Sequence, residues 1–313
     1  MGNNLENGIK ALALGQGFDL CGIASLASPP PYLDHFDGWL SKGYAGEMEY
    51  LKRQRDKRMD PQLVLPGAKS LICLGLIYNS NKPVSSEVPE QPWISRYAWG
   101  DDYHGVMSGK LAALEGAIRR TVPGQYQMHC YCDTGPVSEK AWAAMAGLGW
   151  QGKNTNLINQ AKGSWFFIGE ILTSLDLAAD QPAADLCGTC TRCLDACPTQ
   201  AFSGPYELNA SRCISYLTIE KRGEIPEEFH AAIGQNLYGC DICQDVCPWN
   251  HTKITGNETA FQVRPENWSP DTGQLTNISD EAFSKRFKNS PLKRTKATGM
   301  RRNAKIVLKN QKA

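Results

Sequence analysis

Residues Cys187 to Pro198 read CGTCTRCLDACP, and Cys240 to Pro248 answer them with CDICQDVCP. Cysteines at i, i+3 and i+6 bring three thiolates round one small volume. A fourth, four residues on and followed by proline, completes the run used by proteins with two iron–sulfur clusters. In such a run the fourth cysteine leaves the first cluster for the second, because the proline turns the chain away. The rule assigns Cys187, Cys190, Cys193 and Cys247 to one cluster. Cys197, Cys240 and Cys243 go to the other, with Cys213 in SRCISYLT as the fourth ligand. The competing assignment is a pair of zinc sites, since CxxC pairs also bind zinc through four thiolates. Zinc, however, needs neither the third cysteine nor the repeated CP ending.

Around these motifs lie 313 residues, 42% hydrophobic and 21% charged, the composition of an ordinary soluble chain long enough for two domains. The start, MGNNLENGIKALALGQGF, has no basic stretch followed by an apolar run, and Glu6 stands where myristoylation wants Ser or Thr. No apolar run approaches the roughly 18 to 20 residues of a membrane span. The expectation is a cytoplasmic, reduced protein in which twelve cysteines mean metal or chemistry more than disulfides. Cys21, Cys73, Cys130 and Cys132 lie in strand-like runs and read as buried small hydrophobes. With no heptad and no apolar surface stripe, a monomer is expected.

The net charge of +1 conceals an asymmetry: residues 282–313 hold eleven Lys or Arg and no acid, leaving about −10 for the rest. A basic tail on an acidic body suits an anionic polymer, although a solvated terminus explains the same run.

Taken in order, residues 4–14 read as a helix, 18–26 as a strand and 71–77 (LICLGLI) as a buried strand. Between them, Lys52, Arg53, Arg55, Lys57 and Arg58 form a cationic cluster, either a solvated helix end or a grip on anionic groups. A helix is expected from about Asp102 to Arg120, a strand over 125–132, a helix from Pro136 to about Leu148 capped by Gly149, and a strand over 164–174. Asp133 then stands where a strand ends and a helix begins, the junction at which open α/β folds bind ligands. Helix N-capping is the alternative for it. Gly149, Gly152, Lys153 and Asn154 offer amides, a cation and a carboxamide in one turn, suited to an amide or phosphate ligand, or form a plain surface turn. The expected organisation is an α/β domain over 1–180, a ferredoxin-like domain over 181–260 and a basic helical segment over 261–313.

Two clusters in series move single electrons, and the large N-terminal half suggests an acceptor housed there. No GxGxxG follows the first strand, and neither a Walker A run nor HExxH occurs. DDYHGVM comes near the Asp-x-His-x-x-Gly pattern of base-off cobalamin proteins, but Met107 replaces the glycine.

Over essentially its whole length the chain resembles the epoxyqueuosine reductase family of tRNA-modifying enzymes, relatives of the corrinoid reductive dehalogenases. The resemblance rests on RMDPQLVLPGAKSLI, ISRYAWGDDYH, CDTGPVSEKAWAAMAGLGWQGKNTNLI, the paired cysteine motifs, SYLTIEKRGEIP, YGCDICQDVCPWN and SPLKRTKATGMRRNA. It implies cobalamin in the N-terminal α/β domain, reduced through two [4Fe-4S] clusters by an external low-potential donor. It also implies deoxygenation of the epoxide of epoxyqueuosine in the tRNA anticodon loop to give queuosine. Two electrons and two protons enter, and one water leaves.

The family's acid falls on Asp133, whose carboxyl a buried apolar corrin would push up so that it stays protonated near neutral pH, while a helix N-terminus would act the other way. Arg58, Tyr97, Asp133, Gln151, Gly152, Lys153 and Asn154 are implied as cobalamin contacts, and Lys293, Arg294, Lys296, Arg301 and Arg302 as tRNA phosphate contacts. Two other functions stay open: a corrinoid-dependent reductase of a small molecule such as an organohalide, and a plain electron-transfer protein.

Overall fold

The computed structural model describes residues 4–251 and 254–312. Four strands, β1 (Leu20–Ser25), β2 (Ser70–Ile77), β3 (Met128–Tyr131) and β4 (Phe166–Thr173), form one sheet in the order β1-β2-β4-β3. Each neighbouring pair runs antiparallel, Ile72 lying opposite Ile23 on one side and Ile171 on the other. This corrects the open α/β reading of the N-terminal half: an antiparallel sheet has no topological switch point to place a ligand at Asp133. A run such as LICLGLI tells that both faces are covered but carries no strand direction.

Side chains along β2 alternate between two cores, as a strand period of two requires. Ile72, Leu74 and Leu76 pack with helices α1 (Asn4–Gly15) and α2 (Tyr103–Thr121) through Ile9, Ala13, Met107, Leu111 and Leu114. Leu71, Cys73 and Ile77 face Trp142, Ala143 and Ala144 of α3 (Glu139–Met145). Gly22 permits this second packing, because a β-carbon there would lie 2.0 Å from the Ala146 carbonyl oxygen. Helix α3 is shorter than expected at both ends. It starts after Ser138, and Gly147, at φ 75°, stops it before Gly149. Of the four cysteines outside the motifs, Cys73 and Cys132 are buried as read, whereas Cys21 and Cys130 are half-buried.

A third core joins distant parts of the chain. The strand Trp93–Ile94 pairs in parallel with Asn236–Tyr238, and helix α4 (Lys296–Asn310) packs Met300, Ala304 and Val307 beside Trp93, Leu217 and Leu237. The basic C-terminal segment is therefore helical but is not a solvated tail. Its lysines obscured apolar positions recurring at helical spacing, which carry the helix into the core. No helix among the described residues is long and apolar enough to cross a membrane. The reading of the first residues falls partly on Met1 to Asn3, outside the described residues.

Candidate active site

Where β3 ends, the chain turns through Cys132 and Asp133, and Asp133 takes φ 59°, a left-handed conformation that aspartate tolerates better than most residues. Its backbone N–H donates to Glu139 Oε1, the first side chain of α3. Its carboxylate Oδ2 lies 3.1 Å from His104 Nε2, and His104 Nδ1 lies 2.7 Å from Asp102 Oδ1. Asp102 also caps α2, accepting the His104 N–H at 3.1 Å. The cap of α3 is Ser138, so Asp133 is not a helix N-cap. Tyr103 stacks between the rings of His104 and Phe167, with centroids 4.1 and 4.3 Å away.

An imidazole held between two carboxylates is hard to deprotonate, and the bonds to Asp102 and then Asp133 raise His104 to about 9. Two influences oppose each other at Asp133. Desolvation by the surrounding cleft pushes its carboxyl up, but the His104 bond and charge, with Tyr103 and Arg294, bring it below the usual range. His104 is the reason, and its pairing with Asp133 across 29 residues was not legible from periodicity. Burial, reinforced by the charge of Asp133, lifts Glu139 to about 7. Burial also holds Glu170, fully enclosed on β4, well above the carboxylate range; neither of its oxygens has a hydrogen-bond partner. Desolvation by the cleft around it lowers Lys140, whose Nζ reaches the Thr155 carbonyl at 3.2 Å and Asn156 Oδ1 at 3.0 Å.

These groups stand where two lobes of one cleft meet. The inner lobe, about 550 Å³, has aromatic walls of Tyr97, Tyr103, Phe166 and Phe167 and reaches Cys213, Cys240 and Cys243. The outer lobe, about 860 Å³, passes Trp39, Tyr50, Arg58 and Gln151 towards the exposed Tyr32 and Tyr206. Asp133, Glu139 and Lys140 line both. Together the lobes exceed a pocket for an ordinary small molecule and suit a large, flat, partly apolar group.

Cys187, Cys190, Cys193 and Cys247 ring a separate cavity of about 270 Å³, as the spacing rule assigned them. Cys197 is near enough for its charge to bear on Cys213 and Cys243. Among the described residues no three His, Cys, Asp or Glu side chains converge on a site for one metal ion. Thiols spread round a space suit a four-iron cluster better than tetrahedral zinc.

The other expected site residues divide. Arg58 lines the outer lobe, donating to the Val137 carbonyl at 3.0 Å and Gln54 Oε1 at 3.1 Å. Tyr97 lines the inner lobe, its hydroxyl 3.1 Å from that of Tyr238. Gln151 lines the outer lobe. Asn154 separates the inner lobe from the cysteine cavity and donates to the Cys243 carbonyl at 3.3 Å. Two residues implied as cobalamin contacts do not line the cleft. Gly152 is buried against Ile158, which a β-carbon would meet at 2.4 Å. Lys153 turns away from the cleft, donating to the carbonyls of Gly188 at 2.6 Å and Cys190 at 3.0 Å, so it braces the first cysteine loop.

The residues implied as phosphate contacts divide as well. Arg294 forms a two-pronged pair with Glu220 at 2.7 and 2.8 Å, and Arg301 binds Asp280 at 2.8 Å. Arg302 donates to the carbonyls of Leu217, Lys221 and Gly223. A guanidinium satisfies buried carbonyls well, and a charge count cannot tell that use from an exposed one. Lys293, Arg294 and Lys296 are exposed. The DDYH motif does contribute to the site, but through Asp102 and His104 as partners of Asp133. Glu139, Lys140 and Glu170 left no mark in the sequence, since periodicity reports burial and not which buried side chain is a carboxyl.

The family described as "Epoxyqueuosine reductase QueG, DUF1730" matches residues 58–134, and the "4Fe-4S double cluster binding domain" matches residues 186–250. The chain is 43% identical to an epoxyqueuosine reductase of Cellulophaga algicola, covering 94% of this chain and 95% of the relative. It is 45% identical to that of Synechocystis sp., with 86% and 93% covered. Among solved structures, an epoxyqueuosine reductase with a tRNA-Tyr epoxyqueuosine-modified stem loop superposes with TM-score 0.89 at 34% identity, over 98% of this chain and 82% of that one. The same four values describe the Bacillus subtilis enzyme with its catalytic aspartate loop swung out of the active site.

Proposed function

Because the chain belongs to the epoxyqueuosine reductase family, we propose that it reduces epoxyqueuosine in tRNA to queuosine, with cobalamin as cofactor and two [4Fe-4S] clusters as electron supply. The observation that carries the reading is the cleft: one space joins the Asp133–His104 pair to Cys213, Cys240 and Cys243 of the second cysteine set. Electrons delivered at one wall and a proton held at the other meet in it.

Cobalamin fits this space by size and lining, with Tyr97, Arg58, Gln151 and Asn154 as the side chains that would hold it. When bound, it supplies low-potential cobalt able to reduce a carbon–oxygen bond. The other steps belong to the chain. At neutral pH the acid proton rests on His104, between Asp102 and Asp133. As substrate and cofactor fill the cleft and exclude water, the ionised Asp133 loses solvation, and a proton passing from His104 Nε2 to Oδ2 leaves Asp133 the acid for the epoxide oxygen. The Bacillus subtilis enzyme has its catalytic aspartate loop swung out of the active site, and in this chain we take the Cys132–Ser138 turn as the counterpart. Substrate enters by the outer lobe, with the modified loop of tRNA as the ligand. An external low-potential donor and a cytoplasmic monomer complete the reading.

The test is anaerobic reconstitution with iron, sulfide and cobalamin, followed by reduction and addition of an epoxyqueuosine stem loop, with mass spectrometry of the nucleosides. Queuosine is expected in the wild type. Asp133→Asn should bind cobalamin normally and turn over about 100-fold more slowly or worse. A full complement of iron with no corrin uptake would overturn the cofactor assignment, and undiminished turnover in Asp133→Asn would remove that residue from the mechanism.

A further inference from the structure

Removing an epoxide oxygen as water takes two protons, and the Asp102–His104–Asp133 chain reaches the cleft at a single carboxylate. A second carboxyl stands beside it. Glu139 lines both lobes and is half-buried, and its Oε1 accepts the backbone N–H of Asp133. Its surroundings are mixed. Asp133 and Cys132 face it from the turn, Tyr103 from α2, Arg58 from the short helix Arg55–Met59, Lys140 from α3, Cys73 from β2 and Glu170 from β4. Arg58 and Lys140 favour its anion, but burial and the Asp133 charge outweigh them, and its carboxyl rises to about 7. Glu170 behind it, enclosed and without a bonding partner, is a neutral acid and contributes no compensating cation.

From this arrangement we propose that Glu139 donates the second proton of the reduction. The inference rests on the chain being an epoxyqueuosine reductase. As the first carbon–oxygen bond of the epoxide breaks, its oxygen takes the proton held by Asp133 and His104. As the second breaks, the same oxygen takes the proton of Glu139 and departs as water, while the two carbons form the double bond. Two electrons from an external one-electron donor, delivered through the cluster domain, balance the step.

A purely structural role for Glu139 would be to hold the Asp133 turn through Oε1. Glutamine keeps that acceptor and loses the acid, so Glu139→Gln separates the two roles. In the reduced, cobalamin-loaded enzyme the variant should bind cobalamin and the stem loop as the wild type does, keep its KM, and lose about 100-fold or more in kcat. The wild-type rate should fall as pH rises through about 7, and that limb should vanish from the residual rate of the variant. A kcat within about threefold of wild type, or an unchanged limb, overturns the proposal. If the wild type itself makes no queuosine, the parent reading fails instead. Should Glu139→Gln fold poorly, infrared spectroscopy of the wild type decides. A protonated-carboxyl C=O band, shifted by D₂O, should titrate near 7, and the absence of any such titration sinks the assignment.

Discussion

Glu170 carries a consequence of its own. The folded chain holds its proton, whereas the unfolded chain releases one from glutamate above about pH 4.3. The native state therefore binds more protons over that interval, and this share of stability is lost as pH rises from there towards the folded value. Glu170→Gln removes the group at nearly constant volume, so its thermal midpoint should fall less than that of the wild type between about pH 5 and pH 8. Parallel curves for the two proteins would mean that Glu170 does not titrate as its enclosure demands. At this scale the cysteines were legible because cluster ligation needs a fixed spacing along the chain. Asp133 was legible as an acid only through family resemblance, and its pairing with His104 was not, because His104 comes to it through space from α2.

Elements were legible where pattern and burial coincide. Helices α1 and α2 and strands β2 and β4 lie within a residue or two of their expected spans. Strand direction was not, since pairing depends on partners remote in sequence. Helix α4 is the sharper case, with charge and amphipathic spacing pointing to different environments and the spacing prevailing. Arg302 is the residue that reveals this. Arg302→Ala would strip three backbone carbonyls of their donor and should cost roughly 2 kcal/mol or more, read as a lower urea midpoint at unchanged m-value. An unchanged midpoint would return Arg302 to the surface role first assigned to it.

For the whole molecule, the remaining question is which cations meet RNA. If Lys293 and Lys296 each neutralise one phosphate, Lys293→Ala and Lys296→Ala should each flatten the plot of log Kd against log salt by about 0.7 to 0.9. Equal slopes in all proteins would place the RNA elsewhere, the exposed Arg53 and Lys57 beside the outer lobe being the next cations to test. The packing of α4 also orders events during synthesis. The strand Trp93–Ile94 is made early, but the core that covers it takes in residues up to Val307. While that helix is still inside the ribosome, the early tryptophans lack their cover and Asn236–Tyr238 lacks its final support. That core is thus closed only after Val307 has emerged, and until then the nascent chain depends on protection from aggregation.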